Sequence, residues 1–535
     1  MMVHSSANGR TMVQKKGRFS LEQIVRLSST TLLSRLLGFV REMLIIRSFG
    51  GARALSDAFV TAFRIPNLIY ELCVNGALGP AVLPTLIYEK KQHGDLQLQR
   101  LMTLLFILIS GGMFFLSLLI MAHAPAVIRL VAPGFLDEQA CIATALLRIL
   151  IGSLSLNATI ALITEALRTT HHFTIPAFGQ VLINIVSIAG LIAYHYYQFP
   201  VTYLAVIMLF AIFLSLCMHG IAYHAHHFSL RRPNQQSWKA VSHISRRIMP
   251  VMVSVGIVQL NSFIDLQFAS YLAVGSVSLL NYSSSFINLP LGIFNHACIT
   301  VIFPDLVRLA HYAPRRLGYI IYETIKVTTW LLLPIAAAFV YFSYDIFNTF
   351  YGLTYFSAAQ LSTAQWLLII KAGALCSLAV NQILLAMFHA LNETTVPGMV
   401  SLISLCTSIV LNCIAIKPFG IYGIALTGTI VATLRTMVLL GLAHKRLQLG
   451  AYAPHYIRFL GRVIIQLCAI GIPGIASIAA IRTLFAQQHT PLFHWLSASW
   501  GLWCWVIPLS LCIAYLLYAT RRLFSVKLYL LDRVR

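Results

Sequence analysis

The stretch LLSRLLGFVREMLIIR, residues 32–47, places two arginines and a glutamate inside a strongly apolar run. A charge inside hydrocarbon is costly, so Arg35 and Arg41 require a polar environment or a charged partner. At 100° per residue of helix, the polar residues here share one arc of about 120° with a glycine at its centre. The members of this arc are Thr31, Ser34, Arg35, Gly38, Arg41 and Glu42. The sequence therefore predicts a polar, cationic stripe along one face of the first helix.

The depth of these charges within an apolar helix limits how they can be accommodated. Arg35 lies about 20 Å of helical rise from the start of the span at residue 22. An arginine at the centre of a bilayer costs about 2.5–3.5 kcal/mol even on insertion scales. The arginines either extend to a membrane interface, neutralise Glu42 and another carboxylate, or face a wet cavity between helices. The depth of Arg35 favours the cavity.

Further charges lie inside other apolar spans. Arg64 precedes Pro66, so a helix break there would aim it inward, although a structural ion pair is the alternative. Lys371 has no carboxylate within one helical turn, so it faces a cavity or pairs across helices, for example with Asp265. The remaining intramembrane charges are Glu71, Glu165 and Arg435.

Composition indicates a membrane protein. Of the 535 residues, 59% are hydrophobic and only 10% are charged, against about 25% charged in a soluble domain. The formal net charge is +23, but the basic residues fall in alternate loops, which indicates membrane topology and not nucleic-acid binding. The ten cysteines form no CxxC pair, and neither a metal site nor a cofactor is predicted.

Recurrent apolar windows of about 20 residues predict an all-α polytopic membrane protein of fourteen transmembrane helices. The spans are 22–47, 55–89, 100–130, 138–169, 175–197, 201–225, 241–272, 277–310, 317–344, 357–391, 397–416, 421–446, 456–485 and 495–522. Interior prolines predict kinked or broken helices; they are Pro66, Pro84, Pro290 and Pro334. Lysines and arginines concentrate in the loops before spans three, seven, nine and thirteen and in the C-terminal tail. This pattern places both termini in the cytoplasm.

A weak internal repeat divides these spans. LRTTHHFTIP at 167–176 and FHALNETTVP at 388–397 both close a span and end in Thr-apolar-Pro, 221 residues apart. Two lobes of six helices around a central cavity bring the two segments into register. The predicted divisions are a cytoplasmic tail (1–21), an N-lobe (22–230), a C-lobe (231–450), and helices 13–14 with a basic tail (451–535).

Several motifs in this order resemble the MurJ (MviN) family of lipid II flippases in the MOP exporter superfamily. They are SRLLGFVRE (34–42), DAFVTAFRIPN (57–67), NGALGPAVLP (75–84), VAPGF (131–135), FTIPAF (173–178) and GSVS (275–278). The resemblance implies two six-helix lobes and two further helices that line a groove for a lipid tail. It also implies alternating-access transport of the undecaprenyl-diphosphate-linked peptidoglycan precursor to the periplasmic leaflet of the bacterial inner membrane.

Residue roles follow from the helical arc and the resemblance together. The resemblance assigns substrate recognition to Ser34, Arg35 and Arg41, and Asp57 matches an acidic position of the family. The candidate substrate-binding residues are therefore Ser34, Arg35, Gly38, Arg41, Asp57 and Arg64, and the candidate cavity or gating residues are Glu42, Asp265 and Lys371. The implied partners are the lipid-linked precursor, membrane lipids and proteins of cell-wall synthesis.

The chain departs from the family at several charged positions. Tyr70 and Glu71 replace an arginine pair, and Asn75 replaces an acid. In the eighth span Ser284, Ser285 and Asn288 stand where two acids and an arginine are expected. Three interpretations follow: a divergent lipid II flippase, a flippase for another polyprenyl-diphosphate saccharide, or a non-transporting scaffold. An enzyme is not expected, because no nucleophile–base pair, metal set or Walker loop occurs.

Overall fold

The computed structural model describes residues 21–49, 53–170, 172, 174–352, 356–391, 393, 395–447, 453–487, 499–526 and 528. Helices make up nearly all of these residues, and no strand occurs among them. The helices of the first half are α1 (Leu21–Ser48), α2 (Ala54–Tyr70), α3 (Gly76–Leu105), α4 (Gly111–Ala122), α5 (Ala124–Val131), α6 (Asp137–Leu150), α7 (Ser153–Arg168), α8 (Thr174–Tyr197) and α9 (Val201–Ala225).

Seven described helices form the second half, and two further described helices follow them. The second-half helices are α10 (Gln235–Ser270), α11 (Ser276–Pro290), α12 (His296–Tyr312), α13 (Pro314–Phe350), α14 (Ala358–Ala372), α15 (Leu375–Ala390) and α16 (Thr395–Leu447). The last two helices are α17 (Ala453–Gln487) and α18 (Ser499–Thr520).

Within the described residues, nine helices are long and apolar enough to cross a membrane, and ten if the bent pair α14–α15 counts as one span. The multi-pass, all-helical class is therefore confirmed, whereas the count of fourteen stays a prediction. Two long helices contain a break at a glycine with positive φ, Gly94 in α3 and Gly420 in α16. Both glycines lie between predicted spans, and left-handed φ is accessible to glycine without steric penalty.

Helix boundaries recur at an offset close to the 221 residues that separate Asp57 from Ser278. α6 begins at Asp137 and its counterpart α14 at Ala358. The two segments that suggested the repeat also share a turn. His172 N–H donates to the Leu167 carbonyl at 3.1 Å, and Glu393 N–H donates to the Phe388 carbonyl at 2.9 Å. The halves therefore have the same local architecture, while the exact lobe limits remain a prediction.

Proline affects the two helices that face each other across the halves. In α2, Pro66 precedes a π-helical turn, Glu71–Asn75, and in α11, Pro290 precedes a second one, Leu291–Asn295. Proline has no N–H, so it frees a carbonyl four residues earlier and weakens the α-helical ladder nearby. The predicted distortions are thus present at equivalent places in both halves, whereas α3 and α13 run through Pro84 and Pro334.

The two halves share a large hydrophobic core at one end of the molecule. This shared core contains Met43 from the first half and Tyr282, Phe347 and Tyr351 from the second, all buried. The Tyr351 hydroxyl donates to Met43 Sδ at 2.8 Å. At the opposite end the described apolar residues form separate clusters, one mainly in each half. We call the end that holds this shared core the closed end.

Candidate functional site

A cavity of about 470 Å³ lies between the halves, next to the closed end. Helices α1 and α2 supply one wall and α11 supplies the other. Its lining residues are Arg35, Gly38, Phe39, Arg41, Glu42, Ile45, Phe59, Val60, Phe63, Arg64, Asn67, Asn281, Ser285, Asn288 and Leu289. Three guanidinium groups and one carboxylate are among them, so the lining carries a net positive charge.

The arc predicted on the first helix forms much of this wall. Arg35, Gly38, Arg41 and Glu42 all face the cavity, because residues three and four apart share a helix face. Ser34 does not line it, although its backbone carbonyl accepts a hydrogen bond from a neighbouring helix. The side chain of Thr31 lies outside the described residues.

Arg41 is held by neighbours on both sides. Its Nη2 lies 3.1 Å from Glu42 Oε1, and its Nη1 donates to Asn184 Oδ1 at 3.2 Å. Asn184, on α8, in turn donates from Nδ2 to the Ser34 carbonyl at 2.9 Å. The Arg41 guanidinium also lies 5.6 Å from the centre of the Phe63 ring, within range of a cation–π interaction. These contacts fix its orientation toward the cavity.

Arg35 and Arg64 are charged and have no ion-pair partner among the described acidic residues. Neither forms a salt bridge among the described side chains. The Arg35 guanidinium lies against Gly292 in the second π-helical turn, where an added Cβ would collide with it. Glu42 supplies the only carboxylate among the described lining residues, and it is paired with Arg41. The cavity is therefore ready to receive an anion.

A second cavity, of about 190 Å³, adjoins the first, and Arg64 and Asn288 line both. Asp265 and Lys371 lie here. Asp265 and Lys371 do not form the ion pair that the sequence allows. Lys371 Nζ instead donates to the Leu280 carbonyl at 2.7 Å and to Ser284 Oγ at 2.6 Å.

The other partner, Asp265, accepts a hydrogen bond from Asn412 Nδ2 at 3.2 Å. Asp265 and Lys371 are therefore brought to one cavity without contacting each other directly. Ser284 also belongs to this second cavity, whereas Ser285 lines the first one and Asn288 lines both.

Asp57 lies in the closed end and does not line either cavity. Its carboxylate is only 2% exposed. It accepts hydrogen bonds from Gly275 N–H at 2.6 Å, from Ser278 N–H at 2.8 Å and from Ser278 Oγ at 2.7 Å. Gln139 Nε2 lies 3.4 Å from it. Asp57 of the first half thus satisfies the free N–H groups at the start of α11 in the second.

Two residues that position the arginines were missing from the sequence prediction. Asn184 lies in an apolar helix, and no pattern in the sequence pairs it with Arg41, 143 residues away. Gly292 follows Pro290 in a segment that predicts only a kink. The sequence signal for this contact is the amide of Asn184 inside an apolar span, because buried polar groups require partners.

The helical arrangement is a fold shared with solved transporters of the MOP superfamily. An inward closed conformation of lipid II flippase MurJ superposes with a TM-score of 0.74 at 20% identity, covering 96% of this chain and all of that one. An inward-facing multidrug resistance MATE family transporter of the MOP superfamily gives 0.64 at 15% identity, covering 80% of this chain and 99% of the other.

Sequence comparison narrows the class to one family. The family model described as "Lipid II flippase MurJ" matches residues 46–497. The chain belongs to this family. The lipid II flippase MurJ of Burkholderia cenocepacia is 27% identical over 463 residues, covering 82% of this chain and 87% of that protein. A probable lipid II flippase MurJ of Haemophilus influenzae is 29% identical over 434 residues, covering 76% and 83%.

Proposed function

We propose that this chain is a flippase that moves lipid II, the undecaprenyl-diphosphate-linked peptidoglycan precursor, from the cytoplasmic to the periplasmic leaflet. The observation that carries the proposal is the cationic cavity between the halves. A diphosphate cannot cross hydrocarbon unaided. Arg35 and Arg64 have no described ion-pair partner in the cavity, so their guanidinium groups are available for diphosphate oxygens.

A groove near the C-terminus supports the lipid part of the proposal. It has a volume of about 270 Å³ and is lined almost wholly by apolar side chains of α13 and α18, including Phe339, Phe342, Trp503 and Leu511. Apolar surface of this kind suits a prenyl chain, since burying each CH₂ is worth about 0.8 kcal/mol. The tail would then stay in contact with lipid while the head group enters the cavity.

The position of the closed end and of the basic loops indicates the side of the membrane from which the cavity is reached. The end opposite the closed end carries the segments in which lysine and arginine concentrate, for example Lys90, Lys91, Arg231 and Arg232. By the positive-inside rule that end and both termini face the cytoplasm. The described state then has its periplasmic end closed, and transport requires the shared core between the halves to open in the alternate state.

A leaflet-access assay tests the function. In cells depleted of this protein, lipid II should accumulate on the cytoplasmic side, and the wild-type chain should restore its appearance outside. Arg35→Ala should reduce that restoration more than tenfold while leaving folding intact. Arg148→Ala removes an exposed arginine outside the cavity and should restore transport fully. If depletion leaves the lipid II distribution unchanged, or Arg35→Ala transports normally, the proposal fails and a scaffold role is favoured.

A second candidate is a flippase for another polyprenyl-diphosphate-linked saccharide. The observation that favours it is the neutral wall formed by Ser285 and Asn288, where the family resemblance implies charge. Competition separates the candidates. If another polyprenyl-diphosphate saccharide displaces lipid II from the purified protein at a lower concentration than unlabelled lipid II, this second candidate is preferred.

A further inference from the structure

The two walls of the main cavity differ sharply in chemistry although they are built from equivalent helices. At the offset of 221 residues that joins Asp57 to Ser278, Arg64 of α2 corresponds to Ser285 of α11, and Asn67 to Asn288. All four line the cavity. Among the described lining residues, the wall from α1 and α2 carries all the charged side chains, and the wall from α11 carries none.

The neutral wall presents side-chain amides that have no hydrogen-bond partner among the described residues. Asn281 and Asn288 make no side-chain hydrogen bond among the described residues. The Ser285 hydroxyl already donates to the Asn281 carbonyl at 3.1 Å, so it is less available. An asparagine side chain offers two donors and an acceptor without charge. This combination suits sugar hydroxyls and acetamido or peptide groups.

Lys371 lines the second cavity and does not line the main one. Lys371 lies behind α11, but its ammonium group is used on the Leu280 carbonyl and on Ser284 Oγ. Among the described residues, Arg64 on the opposite wall is the cation that lines both cavities, as Asn288 does. A ligand with an anionic part and a neutral polar part would consequently bind in one orientation.

We infer that the head group binds with its diphosphate on the arginine wall and its saccharide–peptide part on the asparagine wall, with Asn281 and Asn288 as specificity-determining residues. This inference rests on the proposed function and adds the polarity of the bound substrate to it.

Binding measurements on the full-length protein in lipid nanodiscs test the inference. The two probes are undecaprenyl diphosphate, which lacks a saccharide, and lipid II, which carries the same diphosphate with the saccharide–peptide part. The wild-type protein should bind lipid II more tightly. In Asn281→Ala/Asn288→Ala, lipid II should bind about tenfold more weakly, which is about 1.4 kcal/mol. Binding of undecaprenyl diphosphate should change by less than about twofold.

The repeat supplies a matched control in Asn67→Ala. Asn67 is the counterpart of Asn288 on the arginine wall, so its loss should leave the preference for lipid II unchanged. Arg35→Ala should weaken both ligands in parallel. Thermal unfolding of each variant confirms that the protein is folded.

Three outcomes would overturn the inference. The double variant could weaken both ligands equally, it could weaken neither, or Asn67→Ala could abolish the preference as strongly as the double variant does. A wild-type protein that binds neither probe would instead refute the proposed function, and the inference with it. A failure of the asparagine variants alone leaves the proposed function standing.

Discussion

Charged residues lie at two places along the interface between the halves. The two places differ in whether the charged groups have hydrogen-bond or ion-pair partners. At the closed end the Asp57 carboxylate accepts three short hydrogen bonds from the opposite half. Arg35 and Arg64, which line the neighbouring cavity, form no salt bridge among the described side chains. A satisfied charge holds the halves together, whereas an unsatisfied one favours binding of an external anion.

Removing the carboxylate of Asp57 should have the largest effect on this comparison. Asp57→Ala leaves the N–H groups of Gly275 and Ser278 buried without acceptors, which should destabilise the closed end by about 3 kcal/mol. Spin labels at the exposed positions Leu130 and Tyr271 should then report longer distances in nanodiscs.

The exposed acid Asp137, at the first turn of α6, provides the control for that experiment. Asp137→Ala should leave the label distances unchanged, since its side chain is outside the interface. An unaltered distance distribution in Asp57→Ala would mean that the shared apolar core alone keeps the end closed.

Changing the amide that holds Arg41 should have an intermediate effect. Asn184→Asp places a second carboxylate beside Arg41, which is already paired with Glu42, and also removes the donor to the Ser34 carbonyl. The added negative charge lowers the net positive charge of the cavity. Undecaprenyl diphosphate should bind about tenfold more weakly. Asn184→Leu, which adds no charge, should weaken binding only about threefold.

Gln180→Glu adds the same charge to an exposed position of α8. It should change diphosphate binding by less than about twofold. Equal losses in Asn184→Asp and Asn184→Leu would show that packing, and not charge, is what matters beside Arg41.

Displacing Arg35 without removing it should have the smallest effect. In Gly292→Ala the new Cβ collides with the Arg35 guanidinium, and the flexible end of that side chain must move. Diphosphate binding should weaken about twofold to fivefold, because the charge remains while its position changes. Gly112→Ala, where an added Cβ meets nothing within 4 Å, should bind as the wild type does. Wild-type affinity in Gly292→Ala would indicate that Arg35 binds equally well from its displaced position.

The sequence predicted the cationic wall better than any other part of the site, for a geometric reason. Residues within one helix have a fixed angular relation, so Arg35, Gly38, Arg41 and Glu42 could be assigned to one face without knowing what lay opposite. The membrane class was equally accessible, because long apolar spans have one physical explanation.

Contacts between helices could not be predicted in the same way. Asp57 was grouped with the substrate-binding residues, but its partners begin at Gly275, 218 residues away, and only folding places it in the closed end. Asp265 and Lys371, which the sequence allows to pair across helices, line one cavity, where Lys371 donates to a backbone carbonyl and a serine hydroxyl. An ammonium group can use backbone and hydroxyl oxygens as readily as a carboxylate, and sequence does not reveal which lies nearest.

The bond between Asp57 and Ser278 has a consequence for how duplicated chains evolve. These two positions are equivalents in the repeat, so each faces its own counterpart across an approximate two-fold axis. In a perfect duplicate, two aspartates would oppose each other in a dry layer, and like charges there repel strongly. Sites on such an axis are consequently the first where identical copies must become different, and a donor opposite an acceptor is the simplest solution.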